Sequence, residues 1–157
     1  MTSACGRLAK HPIVHRTVVD GLVASLVSAA ALAGCGAREQ RRPCAPLNAI
    51  SHWVWPRRAL RADEPSLRHT ATGLAIHTAS SMLWAGVYAA LRLRRARPTP
   101  ANAMSDAVAV AGLAAWVDLA VTPPRFTPGF EHRLSAGGLV VVYGAFALGL
   151  GLAGARR

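Results

Sequence analysis
The sequence predicts an all-α, polytopic membrane protein: four transmembrane helices in a small bundle, with a long first loop containing an interfacial segment. Three observations predict it. Four apolar runs each hold roughly 19–22 residues, the length needed to cross about 30 Å of hydrocarbon at 1.5 Å per residue. Hydrophobic residues make up 52% of the chain and charged residues 16%, where a soluble domain carries about 25% charge. The remaining charge gathers at the two ends and in residues 38–68 and 92–97, largely between the runs. At 157 residues the chain reads as a single integral membrane domain, residues 1–157, and is too short for two sizeable ones.

The first run covers residues 18–37 and is interrupted by Asp20. Within it Gly21, Ser25, Ala29 and Ala33 recur at intervals of four, a small-residue stripe of the kind that lets helix backbones approach closely. The run closes on Leu32-Ala33-Gly34-Cys35, the order of a bacterial lipoprotein cleavage box, which makes Cys35 a candidate for lipidation. Against that stand the acidic residue early in the run and a length beyond the roughly 7–15 residues of a signal h-region. An ordinary helix with a packing stripe is the better reading.

The long first connection, residues 38–70, contains APLNAISHWVWPRRAL, whose Trp53, Trp55 and arginines suit a short segment lying at lipid headgroups. The second run, 71–91, and the third, 103–121, carry His77, Thr78, Ser80, Ser81, Asp106 and Asp118. Helices of this kind are tolerated in a bilayer when their polar faces turn towards one another. RLRRARPTPAN joins them, with Pro98 and Pro100 preventing helical continuation. TPPRFTPGFEHR, with three prolines and Gly129, is a shaped loop before the fourth run, 134–155. GLGLAG in that run reads as a packing element and not as a phosphate loop.

The formal charge of +11 would suggest nucleic acid in a soluble chain, but arginines flanking apolar runs point to anionic lipid headgroups instead. Nine basic residues fall on each side of the four crossings, so the positive-inside rule is balanced. The tight cluster at 92–97 against a helix end tips the reading towards both termini inside. Cys5, Cys35 and Cys44 are odd in number and form no CxxC; a Cys35–Cys44 bridge would require an oxidising side.

His77, Ser81, Trp84 and Tyr88 recur at three- and four-residue spacing and share one helical face. Antiparallel neighbours put His77 and Asp118 in the same half of the bilayer, where they can pair. The first and third loops bring His52, His69, Arg125, Glu131 and His132 to that side. A buried His–Asp pair can relay a proton, orient a ligand or hold helices together. The plainer alternative has His77 bonded to a serine or carbonyl and Asp118 capping its helix end and meeting a loop arginine. Asp20 and Asp106 lie towards the other side, where Arg92, Arg94 and Arg95 can meet them. His52, His69, His77 and His132 give no HxxxH, HExxH or CxxCH spacing, so no metal, haem or other cofactor is expected. Ser80 and Ser81 lack a GxSxG setting.

PLNAISHWVW (46–55), SLRHTATGLAIHTASSMLWAGVYAAL (66–91) and TPPRFTPGFEHRLS (122–135) carry a resemblance. Through them the chain resembles a group of small four-helix proteobacterial inner-membrane proteins for which no activity is established. The resemblance spans most of the chain from Gly21 onward. It implies a set of sites: Asn48, His52, Trp53, His69, His77, Trp84, Asp118, Pro128, Gly129 and Glu131. Pro56 stands where a glycine is expected in the group, which puts the local turn in doubt.

These readings favour a structural or accessory protein of a bacterial inner membrane with no assignable reaction. Its partners would be the bilayer, anionic headgroups, and another copy or another membrane protein. The alternatives are a small proton-coupled transporter or channel-like module, or an intramembrane enzyme, each centred on His77 and Asp118. A dry bundle favours the first and a polar path to both sides the second. A one-sided pocket holding His52, His77 and Glu131 favours the third. Expression in a bacterial membrane is expected to give the full-chain mass, with or without Met1, changed by Cys35→Ser only through the substitution itself. Loss of the first 34 residues with a diacylglyceryl adduct would remove the first helix from the fold.

Overall fold
A computed structural model describes residues 12–96 and 99–156. Cys5, Arg7, Lys10, Arg97, Pro98 and Arg157 lie outside the described residues. The elements in order are α1 (Pro12–Gln40), α2 (Ala45–Ile50), a 3₁₀ turn (Ser51–Trp53), α3 (Pro56–Ala59), α4 (Thr72–Leu93), α5 (Pro100–Trp116), a second 3₁₀ turn (Phe130–His132) and α6 (Ala136–Ala155). Two π-helical turns, Leu67–Ala71 and Val117–Val121, extend α4 at its start and α5 at its end. Among the described residues there is no strand, and four helices are long and apolar enough to cross a membrane.

Capping groups set several of the helix ends. Ser66 Oγ accepts from His69 N–H ahead of α4 at 3.1 Å. Thr99 and Asn102 form a reciprocal capping box with Pro100 in the first turn of α5. Ser135 Oγ accepts from Gly138 N–H at the start of α6 at 3.1 Å. α1 stops where Arg41 enters the left-handed region at φ 56°, letting the Arg42 N–H reach back to the Gly36 carbonyl at 3.0 Å.

Around the bundle the order is α4, α1, α6, α5, with α4 and α5 the loosest neighbouring pair. α1 is the hub. Its stripe faces α4: a Cβ on Gly21 would stand 2.9 Å from the Met82 Cα, and Ser25 Oγ lies 2.9 Å from Thr78 Oγ1. Towards α6, a Cβ on Gly149 would stand 2.6 Å from the Ala24 Cα. The glycine-rich end of α6 continues the pattern, Gly151 against the Met104 side chain and Gly154 against the Tyr88 hydroxyl. Such approaches maximise dispersion contact between the helices.

The first half of the expected headgroup segment is folded inward, while Val54, Arg57 and Arg58 stay exposed and Trp53 and Trp55 half-buried. All of α2 is buried, as are Ser51 and His52. Three glycines from different elements make room for it. Gly36 of α1 packs on Pro46, Gly73 of α4 on the Leu47 carbonyl, and Gly129 on Ala49 and His52. Gly129 has φ +90° as well, so a side chain there would be strained in addition to clashing. Asn48 fixes the plug, donating to the Ala62 and Glu64 carbonyls at 3.0 Å each and accepting from Thr70 Oγ1 at 2.7 Å.

Charged groups tie the two ends. Asp106 receives Arg95 and lies 3.5 Å from the Arg92 guanidinium, joining α4 to α5 beside their short connection. The hydrogen bond to Asp106 raises the Arg95 pKa above its ordinary value. At the opposite end Arg133 binds Asp63 and Arg42 binds Glu64, while Glu39 accepts from the Ser135 N–H and hydroxyl at 2.8 and 2.9 Å. Cys35 and Cys44 are both free thiols.

The close approach of α6 to α1 is directly testable. Gly149→Ala forces a backbone shift and is expected to cost about 1–3 kcal/mol, as overpacking does. Gly144→Ala meets nothing within 4 Å and is expected to be neutral or slightly stabilising. Thermal unfolding in detergent compares the two; equal melting temperatures would contradict this packing.

Candidate functional site between α4 and α5
α4 and α5 are tied at one end only. Near their short connection Tyr88 donates to the Ala103 carbonyl at 3.1 Å and Arg92 binds Asn102 and Asp106. Ala85, Tyr88, Ala107, Val110, Ala111 and Leu150 fill the core there. Towards the other end the helices stand apart around a cavity of about 250 Å³. Its walls are His77, Ser80, Ser81, Leu83 and Trp84 of α4 and Ala114, Val117 and Asp118 of α5 and its π-turn. Val142, Tyr143 and Phe146 of α6 and Ser28 of α1 close the far side, and Ile50, Trp53, Phe126, Pro128 and Phe130 form the roof. Leu83 and Phe126 are 68% and 53% exposed, so the cavity opens between α4 and α5.

Each polar group in the cavity is held by a different neighbour. His77 is buried, with Nε2 2.9 Å from Ser28 Oγ. The Ser28 hydroxyl also reaches the Ala24 carbonyl at 2.7 Å; it has one proton, so it donates to only one of these acceptors at a time. Asp118 sits in the π-turn, where the Thr122 N–H reaches the Val117 carbonyl at 2.8 Å, and accepts from the Tyr143 hydroxyl at 2.9 Å. A π-turn inserts one residue into the helical repeat and re-aims the side chains after it. His77 and Asp118 therefore line one cavity without bonding to each other.

The roof is rigid. Trp53 Nε1 donates to the Thr127 carbonyl at 2.9 Å, and its ring meets Phe126 edge-on at 5.8 Å. Phe130 and Tyr143 pack with ring centroids 6.1 Å apart. Arg125 donates to the His52 carbonyl at 3.0 Å, fastening the third loop to the plug.

Of the other residues singled out in the sequence, Ser81 and Trp84 line the cavity, and Tyr88 packs below it. His52 stands behind the roof: Nδ1 donates to the Ala49 carbonyl at 3.0 Å, which leaves Nε2 buried and without a hydrogen-bond partner. His69 meets Ser51 Oγ at 3.1 Å and the edge of the Trp55 ring at 5.3 Å, away from the cavity. Glu131 follows the roof residue Phe130. Both its carboxylate oxygens are buried without a hydrogen bond, the His132 Nε2 lying 3.6 Å away. It remains within electrostatic reach of Asp118 and Tyr143. Gly21, Ser25 and Ala29 are buried in helix packing, and Cys35 points its thiol at the Gly138 carbonyl. Among the described residues no group of three or more His, Cys, Asp and Glu side chains could hold a metal ion.

Sequence reasoning missed Ser28, Phe126, Phe130 and Tyr143. Tyr143 carried a signal: between Ser135 and Arg156 it is the one polar side chain in the fourth run. Nothing in the spacing disclosed the π-turn that aims Asp118.

The plug supports the roof, so loosening it should open the site. Asn48→Ala removes two donated bonds and one accepted bond and is expected to cost about 2–4 kcal/mol, counting the polar groups left behind. Hydrogen exchange should accelerate over residues 45–53 and 60–70; unchanged exchange there would show that Asn48 does not hold the plug. No known protein family, curated protein or solved structure matches the chain.

Proposed function
We propose that this chain is an accessory, multi-pass protein of a bacterial inner membrane that binds a small, largely apolar molecule between α4 and α5. The observation that carries this reading is the cavity itself, walled by apolar and aromatic side chains with a few polar groups among them. Ligand sites have that composition and a volume of about 300–1,000 Å³; this cavity sits just below that range. Its mouth between two helices would open to the acyl-chain region, so a membrane-dissolved molecule could enter sideways. The basic loops would then rest against anionic headgroups.

Confinement to one half of the bundle favours binding over passage. The core around Tyr88 and the Arg92–Asp106 pair fill the half beneath, where a conduit would need a polar path. A second reading, an intramembrane acid–base enzyme, draws support from His77 and Asp118 lining one cavity. The wider constellation it called for is not assembled, since His52 and Glu131 stand outside the lining.

Photolabelling tests the binding reading. In nanodiscs the uncharged probe 3-phenyl-3-(trifluoromethyl)diazirine should label Trp84, Phe126 or Tyr143 saturably, and Ala114→Phe should abolish that labelling by filling the cavity. Labelling confined to lipid-facing residues such as Val140, without saturation, would overturn the proposal.

A further inference from the structure
Resting on the binding reading above, we infer that the cavity selects a small organic cation: an ammonium or quaternary ammonium group carried on an apolar body. The inference comes from which charges the fold uses and which it leaves facing the cavity.

The chain has seven acidic residues, of which Asp20 is buried in α1 outside the cavity lining. Asp63, Glu64 and Asp106 meet arginines, and Glu39 caps α6. Asp118 and Glu131 differ, because no lysine or arginine forms an ion pair with either among the described residues. Asp118 lines the cavity, held only by the Tyr143 hydroxyl, a donor that fixes one oxygen and leaves the other free. Glu131 lies behind the roof with both oxygens buried and no hydrogen bond, close enough to add its field to that of Asp118. No lysine or arginine lines the cavity. The two arginines of the third loop are committed elsewhere, Arg125 to the His52 carbonyl and Arg133 to Asp63 and the Leu60 carbonyl.

The walls suit the same ligand. Trp53, Trp84, Phe126, Phe130, Tyr143 and Phe146 contribute six aromatic rings to one small cavity. Ring faces carry negative electrostatic potential, and several around one point form the arrangement that holds quaternary ammonium groups. A carboxylate in an apolar site is costly on its own and becomes favourable when a cation shares its surroundings. An anionic ligand would meet the Asp118 carboxylate with no lysine or arginine in the lining to offset it. A neutral ligand would leave Asp118 and Glu131 without any use in binding.

The test compares benzyltrimethylammonium with neopentylbenzene, its uncharged isostere, by protection from the photolabel in phosphatidylcholine nanodiscs, whose headgroups carry no net charge. The cation is expected to protect at lower concentration than the isostere. Asp118→Asn, which keeps an oxygen to accept from Tyr143, should weaken the cation at least about tenfold, as for loss of one partner of a buried charge pair. The isostere should change by less than about twofold. Glu131→Gln should give a smaller loss in the same direction, and thermal unfolding of each variant checks that it folds. Equal protection by both compounds, or cation protection unaffected by both variants, would overturn the cation inference while leaving the binding reading standing. Absence of saturable labelling in the unsubstituted protein would remove both.

Discussion

Every other feature of this fold depends on how closely α1 can approach its two neighbours. In a bilayer, where helices gain no hydrophobic reward for associating, contact would have to come from dispersion and from hydrogen bonds between side chains. Both require short side chains at the crossing. Gly21 admits Met82, Ala24 receives Gly149, and Ser25 and Ser28 reach Thr78 and His77 across the α1–α4 seam. These contacts lock α4 and α6 onto α1, and α5 then packs chiefly on α6.

The cavity follows from that order. Because α4 and α5 hold to α1 and α6 rather than to each other, only their short connection and the Arg92–Asp106–Arg95 cluster keep them together. That cluster acts at one end. At the other, the helices must separate or be bridged by bulky groups, and the chain supplies neither a large α4–α5 contact nor a closing residue there. It supplies a roof, the buried plug of α2 and the loop around Phe126 and Phe130, which closes the end and leaves the side open. The three glycines that seat the plug show how firmly the roof is placed, since a Cβ on any of them would collide with it.

Much of the architecture was legible in the sequence because the properties that determine it are additive along the chain. Run length and charge placement indicated four helices, and intervals of four among Gly21, Ser25 and Ala29 marked a contact face that turns out to meet α4. The seat of α2 was not legible. Trp53, Trp55 and the following arginines have the composition of a surface segment, and only the tertiary meeting of Gly36, Gly73 and Gly129 draws the residues ahead of them, 45–52, inward. Residues more than ninety positions apart in the chain make that seat, and no local pattern records them. The site divides the same way. His77, Ser81 and Trp84 were visible as one face because helical spacing fixes them. A serine partner for His77 was among the sequence expectations, whereas the orientation of Asp118 depends on a π-turn and on a tyrosine in another helix that no local spacing records.

The separation of those two groups bears on chemistry. A histidine and an aspartate bonded to each other form a relay, in which a proton can pass along a fixed hydrogen bond. Here Ser28 occupies the Nε2 side of His77 and Tyr143 one oxygen of Asp118, so each group is oriented by a neutral partner and faces the cavity separately. That arrangement does little for proton transfer and suits recognition, because hydroxyl partners orient a polar atom without neutralising it. The aromatic walls carry the same implication: rings that exclude water strengthen the field of any charge beside them. With no arginine or lysine in the lining, the Asp118 carboxylate has no basic partner there, which is the feature on which the proposed cationic guest rests.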